Sequence, residues 1–335
     1  MVAAVSQATP AFLLFMAIGM LFGIGGTSLI SRLLGQGRKA EARKACSFCF
    51  WTGLGVGVVG MLAILIFNEP ISWLGGATES TIEYVRQYLV IVAFGVPFLI
   101  IGNVFSNVIR AEGSANKAMM GMILGNLTNI VLDPIMILTF GWNVAGAAIA
   151  TVLGNVVSAV FYISHFMGGK SELTISIREY QAKHQIATGV LAIGIPASLN
   201  SMLMSVSNVL INNLMKEYGD MSVAGLGVAM KVNMVAVMLL IGLGTGIQPL
   251  LGYNYGAGNR KRYKGILRFS LIFALCLSLV MTILCYLGAG PMVKAFLEDK
   301  EAFDYGMQFA RTLIISGPVL GILFVMINAI QSLGA

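Results

Sequence analysis

Long apolar runs separated by short polar connections dominate this chain of 335 residues. Each run can cross about 30 Å of hydrocarbon at a helical rise of about 1.5 Å per residue. A transmembrane barrel would show short alternating segments instead. The pattern therefore predicts an all-α integral membrane protein with nine spans, near residues 3–34, 46–67, 84–109, 117–140, 144–168, 186–214, 222–251, 265–288 and 305–332.

Composition and charge placement agree with that prediction. Hydrophobic residues make up 57% of the chain and charged residues only 10%, against about a quarter charged in soluble domains. The net charge of +7 does not indicate a nucleic-acid partner, because the basic residues gather on alternate connections, at 32–44, 110–117, 170–183 and 260–268. Acidic residues gather on the others, at 69–83, 217–220 and 298–304. This segregation predicts a multi-pass cell-membrane protein whose basic connections are cytoplasmic.

The chain also repeats itself at an offset of 221 residues. Without a gap, Pro70 aligns with Pro291, Pro97 with Pro318, and residue pairs such as 37 and 258 are both glycine. Matching prolines and glycines mean matching kinks and turns. We therefore expect residues 35–113 and 256–334 to superpose, as a parallel repeat about an axis along the membrane normal.

The repeat predicts two lobes and an incomplete set of helices. Residues 1–168 form an amino-terminal lobe that lacks its first helix, and residues 186–335 form a carboxy-terminal lobe that lacks its last two. About nine of twelve spans would be present. Residues 169–185 form a cytoplasmic linker between the lobes, which either is solvated or lies along the lipid headgroups.

Asp133 is the one acidic residue well inside a predicted span. A buried carboxylate costs several kcal/mol unless it is paired, protonated or ion-bound, so Asp133 is either a functional site or a carboxylate satisfied by its neighbours. Asn129 lies on the same helix face. Pro134 lacks an N–H and leaves the Ile130 carbonyl without its helical donor.

Thr151 completes this candidate site on geometric grounds. Asp133 and Thr151 lie at similar depths, about 12 and 11 Å below the outer turn that joins their helices. Carboxylate, amide and hydroxyl oxygens are hard ligands suited to Na⁺, and the same group could equally hold a proton. The sequence therefore predicts a cation-coupling site at Asp133, Asn129 and Thr151, with no other cofactor.

A second group of residues is a candidate lining for a substrate cavity. Lys231 is the one base placed deep in a span, and either snorkels to the surface or faces a water-filled cavity. Methionines supply adaptable apolar walls or ordinary packing, and spaced asparagines supply a polar lining or hydrogen bonds between helices. The candidates are Asn200, Met204, Asn208, Lys231 and Met234.

Several motifs resemble those of the multidrug and toxic compound extrusion (MATE) transporters. They are Gly-Gln-Gly at 35–37, the Asn129 to Pro134 element, Gly-Ala-Ala-Ile-Ala-Thr at 146–151, Gly-Ile-Pro at 194–196 and Gln-Pro-Leu-Leu-Gly at 248–252. The resemblance implies two six-helix lobes around a central cavity. It also implies a cation site at Asn129, Asp133 and Thr151, with an aspartate from a first helix that this chain lacks.

The sequence departs from that family in one place. Where the family has Asp-x-x-Gln near the end of the second lobe, this chain reads Asn328-Ala-Ile-Gln331. We therefore expect coupling to depend on Asp133.

The resulting functional hypothesis is a secondary antiporter that exports organic cations or amphipathic drugs in exchange for H⁺ or Na⁺. We expect a monomer in contact with membrane lipids. The alternative is a lipid-linked oligosaccharide flippase of the same superfamily, which would need several cavity cations for pyrophosphate. An intramembrane enzyme is less favoured, because His165 and His184 both lie at the cytoplasmic edge.

Overall fold

The computed structural model describes residues 2–75, 77–79, 81–169, 171–297 and 299–334, with the side chains of residues 2–9 and 216 left aside. Lys170 and Glu298, which the charge pattern placed on opposite membrane faces, lie outside the described residues. The α-helices of the described part are α1 (Val2–Gly35), α2 (Lys39–Ile66), α3 (Asn68–Leu74), α4 (Ile82–Ala111), α5 (Ala115–Pro134), α6 (Asn143–Met167), α7 (His184–Met215), α8 (Asp220–Gly256), α9 (Arg260–Lys294), α10 (Lys300–Ile315) and α11 (Gly317–Leu333).

The predicted all-α membrane class is confirmed, and the predicted number of spans is roughly matched. Within the described residues, eight helices are long and apolar enough to cross a membrane. A ninth span is obtained if α10 and α11, which meet at a bend of 46°, are counted together. A short π-helix over Ile135–Thr139 continues α5 and completes the fourth span.

The helices form two compact units, which we describe separately. The first unit extends to Met202 and includes α1 to α6 and the beginning of α7. The second extends from Leu203 to Leu333. The lobe boundaries drawn from the repeat assign all of α7 to the second lobe, and they stay a prediction.

Helix α4 is the centre of the first unit and packs against α1, α2 and α6. Phe105 of α4 is fully buried. Its ring stacks on Phe50 of α2, with centroids 5.3 Å apart, and contacts Phe166 of α6 at 4.6 Å. Such aromatic pairs add to the packing of three helices around one side chain.

Glycines allow α1 and α7 to approach each other closely. A Cβ at Gly25 would collide with the carbonyl oxygen of Val190, and one at Gly194 with the carbonyl oxygen of Leu21. Lipid tails are as apolar as leucine, so helix association in a membrane depends on close packing of this kind. The beginning of α7 is thereby fixed to α1.

Helix α8 is the centre of the second unit and packs against α9, α10 and α11. Gly225 of α8 faces the backbone of Gly306 on α10. A Cβ added to Gly225 would lie 2.8 Å from the Gly306 backbone nitrogen. Towards the other end of α8, Leu251 packs with Ala274 and Val325 in a separate cluster.

Local geometry reproduces the repeat found in the sequence. Asn107 in α4 and Asn328 in α11 both donate through Nδ2 to the carbonyl four residues earlier, each at 2.8 Å. Both amides face a glycine of the neighbouring helix, Gly23 and Gly244 respectively. The helix-ending glycines match as well, with φ of 75° and 69° at residues 37 and 258 and of 90° and 83° at residues 113 and 334.

The two copies differ in where a helix is interrupted. In the first copy α4 runs without a break through Pro97, whereas its counterpart in the second copy is divided at Ser316 into α10 and α11. Both copies contain the proline, but Gly317 stands where the first copy has Val96. Adjacent glycine and proline permit a sharp kink that a β-branched residue resists.

We expect Gly25→Ala to destabilise the protein by about 2–3 kcal/mol, because the added methyl group meets the backbone of α7 and not a movable side chain. The matched control is Gly102→Ala in α4, where an added Cβ meets no atom within 4 Å and helix propensity favours alanine. The midpoint of thermal unfolding in detergent should fall for the first variant only. Equal midpoints would contradict the proposed packing of α1 on α7.

Candidate functional site

The candidate site lies in the hairpin formed by α5 and α6, which glycines bring close together. A Cβ at Gly154 would lie 2.7 Å from the carbonyl oxygen of Gly125. Further along the same contact, Ser158 donates to the Gly121 carbonyl at 2.9 Å, and the Tyr162 hydroxyl donates to the Ala118 carbonyl at 2.7 Å. The two helices are therefore locked in register below the site.

This register brings Asn129 and Thr151 together, whereas the depths estimated from the sequence paired Thr151 with Asp133. The Asn129 Nδ2 atom lies 3.4 Å from the Thr151 hydroxyl, which itself donates to the Ala147 carbonyl at 2.9 Å. The Cβ of Asn129 also lies against Gly154. Thus both side chains are held by the hairpin packing.

Asp133 lies one helical turn beyond Asn129 on α5. Its Oδ1 atom is buried and has no hydrogen-bond partner among the described residues. Burying a charged oxygen without a partner is unfavourable by several kcal/mol, so the arrangement favours a protonated or a cation-bound carboxyl. Carboxylate, amide and hydroxyl oxygens fit the hard-ligand requirement of Na⁺, although three groups are fewer than a full coordination shell.

The backbone beyond Asp133 changes its hydrogen-bond pattern. Pro134 ends α5, and the following turn is a π-helix in which the Phe140 N–H donates to the Ile135 carbonyl at 3.1 Å. Met136 in this turn packs against the backbone of Gly146 on α6. Single π turns inside helices are frequent at functional sites, and this one places Asp133 at the junction of two helix types.

Tyr88 is a site neighbour that the sequence reasoning missed. It lies on α4, is 9% exposed, and is close enough to interact electrostatically with Asp133. A phenol can donate to a carboxylate or accept from a protonated one. The available signal was weak, because Tyr88 lies near the beginning of α4, directly after the polar residues Arg86 and Gln87.

The five proposed cavity residues are distributed between the two units. Asn200 belongs to the first unit, and the others belong to the second. All five side chains are exposed. The Lys231 ammonium lies 5.5 Å from the centre of the Phe296 ring, just beyond the end of α9, which favours snorkelling over a cavity-facing position for this residue.

The prediction that Lys231 is the one base deep in a span is wrong. Arg311 lies as far from the start of α10 as Lys231 lies from the start of α8. Its guanidinium is 5.3 Å from the centre of the Tyr286 ring. Both cations therefore rest on aromatic rings, and Arg311 was overlooked because the predicted span began five residues too late, at residue 305.

Comparison with known proteins identifies the class. The MatE family model matches residues 1–135 and 196–335. The chain belongs to the MATE family, and it is a multi-pass membrane transporter and not an enzyme.

Among its relatives, multidrug export protein MepA of Staphylococcus aureus (strain NCTC 8325 / PS 47) is 30% identical over 339 residues, covering 100% of this chain and 74% of the relative. A solved structure described as an outward-facing multidrug resistance MATE transporter of the MOP superfamily is 26% identical with a TM-score of 0.94, covering 99% of this chain and 75% of that one. A second, from Pyrococcus furiosus, has a TM-score of 0.85 at 26% identity, covers 99% of this chain and 77% of that one, and is described as having a binding pocket of reverse polarity.

We expect Asp133→Asn to raise thermal stability in alkaline, Na⁺-free buffer by about 1–2 kcal/mol, because an amide replaces an unpartnered buried charge. The same substitution should abolish any stabilisation of the protein by Na⁺ or by acid, since a ligand stabilises only the state that binds it. The measurement is the unfolding midpoint across Na⁺ concentration and pH. The control is Asp304→Asn, an exposed aspartate, and identical ion responses in both variants would exclude Asp133 as the ion site.

Proposed function

We propose that this transporter exports organic cations or amphipathic drugs in exchange for H⁺ or Na⁺, and that the coupling ion binds at Asp133. The observation that carries the proposal is the buried, unpartnered Oδ1 atom of Asp133 beside the Asn129–Thr151 pair. The export function rests on the relatives, which include a multidrug export protein.

The chemistry required of the site is reversible ion binding. A gradient can drive a conformational cycle only if the ion binds the two states with different affinity. Asp133 supplies the charge that attracts H⁺ or Na⁺, while Asn129 and Thr151 supply neutral oxygens. Tyr88 lies on α4, outside the α5–α6 hairpin, so a shift of α4 relative to that hairpin would change the surroundings of Asp133.

The second unit offers neutral polar groups in place of an acidic site. The Gln248 amide is 1% exposed and lies 3.5 Å from the Gln331 side-chain oxygen. Asn328 donates to its own helix. Neither amide changes charge at accessible pH, and this supports placing the coupling site at Asp133.

For the substrate, we propose contacts with Asn200 in the first unit and with Met204, Asn208 and Met234 in the second. Lys231 is left out because its ammonium lies over the Phe296 ring. Flexible methionines and spaced amides suit ligands of varied shape, and their exposure is compatible with that role. We further propose that the protein acts as a monomer surrounded by lipid.

A lipid-linked oligosaccharide flippase remains the second candidate, and Arg311 is the observation that favours it. Together with Lys231 it gives the second unit two cations inside spans. Each cation already contacts an aromatic ring, so the drug antiporter is the better-supported function.

We expect Asp133→Asn to abolish gradient-driven efflux of a fluorescent organic cation from proteoliposomes, while leaving expression and substrate binding intact. The amide keeps the shape of the side chain but removes its charge. Imposing the H⁺ and Na⁺ gradients separately identifies the ion. Asp304→Asn serves as the control for loss of an aspartate, and wild-type efflux rates in Asp133→Asn would remove this residue from the mechanism.

Asn129→Ala and Thr151→Ala should have weaker effects. Each removes one neutral oxygen, so we expect the ion concentration for half-maximal efflux to rise about tenfold without loss of the maximal rate. The measurement is initial efflux rate against ion concentration. Complete inactivity of both variants, with normal stability, would mean that these side chains do more than support Asp133.

A further inference from the structure

Residues 171–180, here named the strap, lie against the first unit at the ends of helices that the charge pattern places in the cytoplasm. They follow α6 and precede α7, inside the predicted linker. The sequence offered a solvated loop or a segment along the headgroups, but the structure has a third arrangement, in which the strap is docked on protein. We propose that the strap is a releasable latch on the first unit and that Glu112 is its anchor.

One face of α2 receives the strap. Arg43 Nε donates to the Glu172 carbonyl at 2.9 Å, Ser47 Oγ to the Ser176 carbonyl at 2.7 Å, and Trp51 Nε1 to the Ile175 carbonyl at 3.0 Å. Positions 43, 47 and 51 are spaced by four and share one helix face. The α2 helix thus presents a row of donors to three strap carbonyls, those of Glu172, Ile175 and Ser176.

The row extends by one more turn to Lys39, whose ammonium lies 2.7 Å from the Glu172 carboxylate. This ion pair is exposed on both sides, with 61% and 52% of the side chains accessible. Exposed pairs are weak and screened by salt. It therefore adds charge complementarity to the latch but little strength.

Glu112, directly after α4, is the buried anchor. One carboxylate oxygen accepts the Glu172 backbone N–H at 2.5 Å, and the other accepts from His165 Nε2 at 3.3 Å. The side chains of Glu112 and His165 are only 8% and 5% exposed. A buried carboxylate with two donors is strongly held, and losing it would leave both donors unsatisfied.

Lys117 fixes the tautomer of His165. Its ammonium lies 3.0 Å from His165 Nδ1 and can only donate. Nδ1 is therefore the acceptor, and Nε2 carries the hydrogen that is donated to Glu112. The series of contacts from Lys117 through His165 to Glu112 therefore links α5, α6 and the end of α4. It ends at the backbone N–H of Glu172 in the strap.

Cys46 lies beneath the strap, so the accessibility of its thiol shows whether the strap is docked. Its thiol is 0% exposed and contacts the backbone of Thr174 while neighbouring Glu112. Leu173 of the strap is buried over the same region at 3% exposure. Removing the strap would therefore expose Cys46, whereas Cys49, which is buried against Gly26 of α1, would stay covered.

The strap is held by single hydrogen bonds and has little structure of its own. Its regular part is one 3₁₀ turn, Ile177–Glu179, and beyond Leu173 its main ring contact is Tyr180 stacked on Phe48 at 6.2 Å. Segments with few buried apolar contacts open locally before the rest of a fold does. Opening would free the strap from α2 and from Glu112, while the beginning of α7 stays packed on α1.

The test is the rate at which N-ethylmaleimide labels Cys46 in membrane vesicles, using the full chain with Cys49, Cys276 and Cys285 changed to alanine. We expect slow labelling in this parent and about tenfold faster labelling with Glu112→Ala, since the anchor is gone. The matched control is Glu41→Ala, an acidic residue near the same helix ends whose partner is Arg38. It should label at the parent rate.

A second variant and a second thiol separate latch release from unfolding. Ser47→Ala combined with Trp51→Phe removes two bonds to the strap, leaves Glu112 in place, and should also speed Cys46 labelling severalfold. A chain that keeps only Cys49 should label slowly in every variant. Unchanged Cys46 rates in both the Glu112 and the double variant, or equal acceleration of Cys46 and Cys49, would overturn the proposal.

Discussion

The close approach of helix backbones through glycine is the constraint on which this structure depends. In hydrocarbon, apolar side chains gain nothing by leaving lipid for protein, so helices associate where small residues allow tight packing. Gly25 and Gly194 fix α1 against α7, and Gly125 and Gly154 fix α5 against α6. The second of these contacts sets the register that pairs Asn129 with Thr151. Gly125 and Gly154 lie about one helical turn from Asn129 and Thr151, so the site forms where these glycines let the two helices meet.

Much of this arrangement could be predicted from the sequence. Span positions follow from hydropathy, and the repeat follows from glycines and prolines at a constant offset. That Asp133, Asn129 and Thr151 lie in one hairpin was predictable from two helices joined by a short turn. The depth argument paired Thr151 with Asp133, whereas the structure pairs Thr151 with Asn129. Tyr88 could not be placed in the same way, because its helix is not adjacent in sequence to α5 and only packing brings it near Asp133. The docking of the strap was likewise out of reach, although the spacing of Lys39, Arg43, Ser47 and Trp51 along α2 was visible.

The α5–α6 hairpin of the first unit holds a carboxylate with one buried oxygen, whereas the second unit buries amides at Gln248 and Asn328. Amides hydrogen-bond to the backbone and to one another without any response to pH or Na⁺, and they suit helix packing. The kink between α10 and α11, permitted by Gly317 beside Pro318, has no equivalent in α4. Between the aligned copies, duplication thus preserved the turns and the asparagine–glycine contacts, while the helix break diverged.

The hairpin of α5 and α6 connects two polar centres of different kinds. Towards its outer turn, Asp133 has an oxygen without a partner, which makes it responsive to a cation. At its other end, His165 donates to Glu112 and accepts from Lys117, which holds that end while the strap is docked. Between the two ends, Ser158 and Tyr162 donate to backbone carbonyls of α5, and Gly154 lets the two helix backbones meet. The hairpin therefore carries the proposed cation site and the buried support of the strap on one closely packed pair of helices.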